Sequence, residues 1–528
     1  MKSKLSSLVF YLALASGASA QQAFNTSLYR QYTLSQLGAS AGNDCWGYVS
    51  PSGREYAIVS LSNKIVFIEV TNPTNTVKFA EFPHTSSSWG DVKVYGSTAY
   101  AVTEASGTGI QVVDMSNIDA ATNRVTLVRT LASPGRTHNL SLDPVSGYLY
   151  TCGSRDGTGT TMCFDIHTNP LNPVRVGLNS LTPTYQHDAN TVTYTSGPNA
   201  GRQIMFGSGE NRGVEIWDVT DKNNVFLVRR ISYPFVGYCH QGWLSEDRKY
   251  YYVDDELDEA QQGISTTRTL VFDVSVLESA DLVGTYTTGK PSIDHNLYWR
   301  NGFIFQSDYS SGLRIFNANI DPVNPPQVGW YDTFPADDRV DFVGAWSSYV
   351  FLPSGTVITS DINGGAFILD VSEATKTPFS VNTFNVERGR IVSGGLPELG
   401  TQDSQYFVVN KWITVNANEA PIRLVFEGTS LWKDISRLKF EFRHKVNSGG
   451  LEQTIELWDW TTSAWVQQTV ASAPTTDTTF TLVGTSPDRF VDQTTKQMRA
   501  RVQIRATGIT SVADWGTSID LARWVVNP

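Results

Sequence analysis

Four of the seven histidines in this 528-residue chain, His138, His187, His240 and His295, fall 49, 53 and 55 residues apart. Neutral imidazole ligates Fe, Cu, Mn or Zn, and four such nitrogens with an open position suit a redox or Lewis-acid ion better than a closed structural site. Each histidine is followed by an amide or an acid, Asn139, Asp188, Gln241 or Asn296, side chains able to orient backbone or rings around a metal. The same rings titrate near neutrality, so they also suit metal-free acid and base work of the kind a polysaccharide lyase needs. A structural reading stands beside both: Trp46, Trp89 and Trp346 fall at corresponding places, as if the position wanted a planar, channel-lining residue.

The elements that must position these residues follow from a phrase that recurs seven times. Three or four apolar residues in strand rhythm precede an acid or amide, a small apolar residue and a turn, as in KIVFIEVTNP, GVEIWDVTD and GAFILDVS. The anchors Glu69, Asp114, Asp165, Asp218, Asp273, Asn317 and Asp370 are 45, 51, 53, 55, 44 and 53 residues apart. A period of about 40 to 50 residues is that of one four-stranded propeller blade. Seven copies predict seven blades over residues 21–385, with the histidines on four successive innermost strands and therefore around one axis. In each unit an apolar strand precedes the anchor and another follows it, such as VKFAEF, FLVRRI and, for the seventh, FSVNTF.

The segment YRQYTLSQL, residues 29–37, reads as an outer strand with no unit of its own and is expected to pair with the last blade and close the ring. Beyond the seventh unit, residues 386–528 alternate in strand rhythm between turns, the pattern of an antiparallel β-sandwich. The expected fold is all-β: a seven-bladed β-propeller followed by a C-terminal antiparallel β-sandwich.

Two further groups could bind ligands. Trp46, Trp89, Asp91 and Trp346, near the histidine positions, offer aromatic faces and a carboxylate to a sugar or other small organic ligand. Asp254, Asp255, Glu256 and Asp258, in the run DDELDE, could hold Ca²⁺ through oxygen ligands; as a like-charge cluster they could equally be a solvated loop.

The net charge of −11 and pI near 5.2 exclude nucleic acid or an anionic membrane as the main partner, since both need a basic face. Lys2 and Lys4 precede an apolar run ending in Ala18-Ser19-Ala20, which predicts a signal peptide over residues 1–20 and a secreted, extracellular protein. No later run is long and apolar enough to be a transmembrane segment. Export makes a disulfide expected between Cys152 and Cys163, which flank a Gly- and Thr-rich turn. Cys45 and Cys239 could pair, stay free or touch a metal. Asn25-Thr26-Ser27 marks Asn25 for N-glycosylation.

Long phrases such as WGYVSPSGREYAIVSLSNKIVFIEVTNPTNTV, HQGWLSEDRKYYYVDDELDE and DHNLYWRNGFIFQSDYSSGLRIF resemble the choice-of-anchor B family, over most of residues 29–372. The resemblance implies a secreted or surface protein with LVIVD-type propeller repeats, and it implies no reaction. The expected arrangement is also similar in architecture to carotenoid-cleaving oxygenases, whose iron is held by four histidines, although no sequence phrase is shared. The expected function is metal binding through the four histidines, with action on, or binding of, an extracellular carbohydrate or small organic ligand. The competing expectation is a non-catalytic adhesion or cell-wall interaction module whose partner is a glycan or a protein.

Overall fold

The structure, a computed structural model, describes residues 23–154, 161–177, 185–414, 419–508 and 514–528. The expected signal peptide lies outside the described residues. The anchors explain why each unit turns where it does. Asp114, Asp218, Asp273, Asn317 and Asp370 each end a strand and accept, through Oδ1, the backbone N–H two residues on, at 2.8, 3.0, 2.9, 3.1 and 2.9 Å. This side-chain-to-backbone bond replaces the ladder and starts the turn. Glu69 works differently, holding Arg54 Nε at 2.9 Å and Arg124 at 2.7 Å.

Among the described residues the chain up to Asp370 forms seven antiparallel sheets of four or five strands; five are meanders of consecutive strands, and strands from the N-terminus complete the outer edges of the other two. Their first strands are Gly42–Val49, Gly90–Tyr95, Asn139–Asp143, Ala189–Thr193, Cys239–Leu244, Asn296–Arg300 and Ala345–Tyr349. Each packs beside the next and the last returns to Gly42–Val49, so the sheets surround one axis as a β-propeller. Second strands such as Glu55–Leu61 and Gln203–Ser208 are buried at every position, because neighbouring sheets cover both faces. That is why they read as continuous apolar runs. Outer strands such as Asp281–Tyr286 meet solvent and alternate.

The N-terminal strand Ser27–Tyr32 pairs antiparallel with Gly365–Asp370 and supplies the outermost strand of the last sheet. The run FSVNTF, expected in that place, is used elsewhere. Thr377–Ser380 pairs with the last strand of the chain, Gly516–Asn527, and Thr383–Arg388 with Ile422–Thr429. The changeover between the two regions therefore precedes residue 385, the boundary expected from the repeat.

Beyond the propeller, two larger antiparallel sheets enclose Phe426, Phe440, Phe442 and Trp524, all fully buried. Arg437–Val446 alternates strictly between half-buried and buried residues, as a strand with one face on a core must. The region docks on the last propeller sheet: Asn527 Nδ2 donates to Ser372 O at 2.6 Å, and Arg437 donates to Ser372 Oγ at 2.6 Å and Tyr29 OH at 2.9 Å.

His444 is buried in this core between Thr517 Oγ1 and Gln453 Oε1, and burial pushes its imidazole down to about 4. The unfolded chain takes up this proton first, near pH 6.5, so stability falls as pH drops from there toward 4. The loss through this one group is about 3 kcal/mol. Urea unfolding at pH 7 and 4.5 checks it: His444→Asn should lose correspondingly less stability on acidification than the wild type.

Candidate metal centre

The four predicted histidines stand side by side, with successive ring centroids 4.3, 4.4 and 4.3 Å apart. A ladder of hydrogen bonds holds them. His187 Nδ1 contacts His240 O at 3.3 Å, His240 Nδ1 contacts His295 O at 2.9 Å, and His295 Nδ1 contacts Trp346 O at 2.6 Å. A carbonyl oxygen can only accept, so each Nδ1 carries the proton and each Nε2 keeps its lone pair. His138 begins the row, its Nδ1 2.7 Å from Glu104 Oε1.

His187, His240 and His295 are held toward the neutral form. Burial, reinforced by neighbouring histidines, holds His187 and His295 well below the ordinary imidazole range. Burial lowers His240 as well, partly offset by Glu256. The Glu256 carboxylate closes the row from above, 3.8 Å from His240 Nε2 and 3.6 Å from His295 Nε2, and accepts from Tyr309 OH at 2.7 Å.

Potential ligand atoms of His138, His187 and His240 lie within 4.8 Å of one another, as do those of His240, Glu256 and His295. His240 belongs to both sets. Together they line a cavity of about 150 Å³ with Glu104, Trp89 and Trp346. Imidazoles with free lone pairs plus one carboxylate fit a first-row transition ion, and the ladder is the usual device that fixes a ligating ring through its other nitrogen.

A wider space of about 480 Å³ adjoins this cavity, sharing Trp89, Tyr238, Glu256 and Trp346 with it and adding Phe342 and Leu257. Trp89 and Phe342 are each 47% exposed, whereas Trp346 is 8% exposed and packs edge-on against His295 at 5.1 Å. Two of the four predicted ligand-binding residues, Trp89 and Trp346, thus stand at the histidine site.

The other two do not. Trp46 packs against Tyr298 and Tyr349 at 5.9 and 5.1 Å and lines a separate cavity of about 350 Å³ with Lys93 and Trp243. Asp91 is buried beside it, 2.5 Å from Lys93 Nζ and accepting from Leu140 N at 2.7 Å. The strand Gly42–Val49 carries Trp46 deeper along its length than the other units carry their histidines, which is why matching by residue type misplaced it.

The residues following the histidines tie neighbouring inner strands together instead of orienting rings. Asn139 Nδ2 donates to Asp188 at 2.8 Å, Gln241 accepts from Leu297 N at 3.0 Å, and Asn296 donates to Trp346 O at 3.1 Å.

The four predicted calcium ligands do not converge. Successive strand residues point to opposite faces, so Asp254 accepts from Gln306 at 3.3 Å while Asp255 takes the N–H groups of Gly237 and Tyr238 at 2.9 and 2.5 Å. Glu256 turns to the histidines and Asp258 to Arg268 at 2.7 Å. Nor does the predicted disulfide form: Cys152 and Cys163 are free, buried thiols, and the register pairs Cys163 with Tyr150. Cys45 and Cys239 are also free, in different clusters, with Cys45 donating to Ser347 O and Ile358 O.

Sequence reasoning missed Glu104, Tyr309 and the hydrogen bond from Tyr238 OH to Glu210 at 3.0 Å. Glu104, Glu210, Glu256 and Tyr309 all directly follow or closely trail the second strand of their units, in TEAS, SGEN, DDEL and SDYS. Comparing that position across repeats would have found them.

No family model matches the sequence, and no curated protein matches it. The fold is similar to that of the β-propeller domain of Cps50 (Swd1) from Myceliophteria thermophila, at 9% identity and TM-score 0.42, over 66% of this chain and 99% of that one. It is similar to hydrazine synthase of Kuenenia stuttgartiensis at 11% identity and TM-score 0.42, over 63% and 95%. A functionally unknown protein from Desulfotomaculum acetoxidans has 15% identity and TM-score 0.39, over 56% and 87%.

Proposed function

We propose that this chain is a secreted, seven-bladed β-propeller with a C-terminal β-sandwich, of the choice-of-anchor B type, that binds a transition ion and engages an extracellular carbohydrate or small organic ligand. Among His138, His187, His240, His295 and Glu256, the ion, of the Fe, Cu, Mn or Zn class, would be held by His138, His187 and His240 or by His240, Glu256 and His295, the two sets sharing His240. The observation that carries the reading is the ladder in which the Nδ1 atoms of His187, His240 and His295 bond to backbone carbonyls, since it leaves the Nε2 lone pairs for a ligand. Seven successive sheets with cyclically packed first strands support the blade count. The exposed Asn25, one of whose amide hydrogens goes to Val328 O at 2.9 Å, keeps a second amide hydrogen position for a glycan.

An ion bound there would supply Lewis-acid or redox chemistry. The chain's own residues supply the rest: Tyr309 fixes Glu256, Trp346 fixes His295, and Trp89 with Phe342 forms an aromatic rim on which a sugar ring or an apolar ligand can stack. A polysaccharide lyase using the same histidines is a further alternative; among the described residues Glu104 and Glu256, and no lysine or arginine, line their cavity, so the bound ion would have to neutralise a uronate carboxylate. The exposed rim by itself would also serve a non-catalytic glycan-binding module.

Titration of chelator-stripped protein with Co²⁺ tests the reading. Wild type should develop the visible absorption of imidazole-ligated cobalt, and the His187→Ala/His240→Ala variant should not. A wild-type protein that stays colourless overturns the metal reading. A glycan screen of wild type against Trp89→Ala then shows whether the rim alone binds sugar.

A further inference from the structure

We propose that Asp258, Glu259 and Asp294 form a second metal site, separate from the histidines, for a hard divalent cation of the Ca²⁺ class. One carboxylate oxygen from each lies within 4.8 Å of the other two. Two oxygens on opposite sides of a calcium ion are separated by about that much, given Ca–O distances of roughly 2.4 Å. The donors are all oxygens, as a hard cation requires. Asp258 and Glu259 open the short helix Asp258–Gln261, and Asp294 immediately precedes His295.

Acidic clusters on a surface mean little, but this one is buried: Asp258 and Asp294 are fully covered and Glu259 is 7% exposed. Asp294 is an independent pointer, since it comes from the segment leading into Asn296–Arg300, the first strand of the next sheet, and neither of its oxygens meets a hydrogen-bond donor. Both oxygens of Glu259 and Oδ1 of Asp258 also lack a donor; Asp258 Oδ2 is held by Arg268 at 2.7 Å. Asp308, fully buried with both oxygens unpartnered, and Asp254 act electrostatically on the same site.

Five carboxyl groups thus face two guanidiniums, Arg268 and Arg314. Buried carboxylates without donors are costly unless a cation or proton compensates them. A divalent ion would touch all three and offset two of their negative charges, Asp258 being paired with Arg268 as well. It would also fix two segments that reach the histidine row, since Glu256 lies two residues before Asp258 and His295 one residue after Asp294.

Calorimetric titration of the chelator-stripped full chain with CaCl₂, together with thermal melting, tests the site. Wild type should take up one Ca²⁺ and melt at a higher temperature with it. The His187→Ala/His240→Ala variant should bind Ca²⁺ as wild type does, which separates this site from the histidine centre. Asp294→Asn and Glu259→Gln should each weaken binding at least tenfold; if Asp294→Asn fails to fold, Glu259→Gln decides. No Ca²⁺ uptake by wild type at millimolar concentration, or unchanged uptake by the folded carboxylate variants, overturns the proposal.

Discussion

His240→Ala is expected to weaken transition-metal binding by more than about a hundredfold, beyond the ten- to hundredfold that losing an outer partner of a ligand costs, while the propeller stays folded. His240 is the one residue common to both ligand sets, so its loss breaks His138–His187–His240 and His240–Glu256–His295 together. The fold should survive because the neighbouring ring is held by the backbone of residue 240: His187 Nδ1 bonds to its carbonyl oxygen, which alanine retains. His187 therefore keeps its tautomer and place. Glu104→Gln is the control, because Glu104 contacts His138 Nδ1 and is absent from both ligand sets. Its effect should fall in the smaller range. Competition with a chelator measures both affinities, and melting curves check the fold.

The second large effect concerns stability. Lys93→Met should destabilise the propeller by about 3–5 kcal/mol, the usual result of removing one partner from a buried ion pair. Lys93 Nζ lies 2.5 Å from Asp91 and 3.3 Å from Asp44, with all three side chains at most 10% exposed. It also lies 4.6 Å from the Trp46 ring centroid. Burial alone would strip the ammonium of its proton, but the two carboxylates hold it charged, well above the ordinary lysine range. Methionine fills the same volume and leaves two carboxylates facing each other. Adding Asp44→Asn and Asp91→Asn to Lys93→Met should return much of the lost stability, since the uncompensated charge is then gone. Denaturant unfolding of the three proteins measures the difference, and equal stability of wild type and Lys93→Met would contradict the role given to the pair.

Much of this organisation is legible in the sequence because it is periodic. The anchors recur where a strand must end in a side-chain-capped turn, and the buried second strands recur as apolar runs, so sheet number and order follow from spacing. The histidines are legible for the same reason: equivalent positions around an axis converge. Pairing by a distant segment is harder to read. Thr377–Ser380 and Ser27–Tyr32 both look like outer strands of the last sheet, and only the register to Gly516–Asn527 and Gly365–Asp370 distinguishes them.

Residues that depend on which face of a strand they occupy were misplaced. Trp46 and Asp91 share an axis with the histidines but stand at another depth, and the acidic run DDELDE is divided among three surroundings by strand alternation and a turn. Asp294, adjacent to His295 in sequence, gives no signal of joining that run until the sheets are assembled.

Elemental analysis of the native protein, purified without chelator and compared with His187→Ala/His240→Ala purified in parallel, tests the central claim most directly. Wild type should carry about one equivalent of a first-row transition metal per chain and the double variant close to none, as expected when ligand identity sets occupancy. A metal-free wild type that takes up no transition ion on reconstitution, or equal metal content in the two proteins, would contradict it.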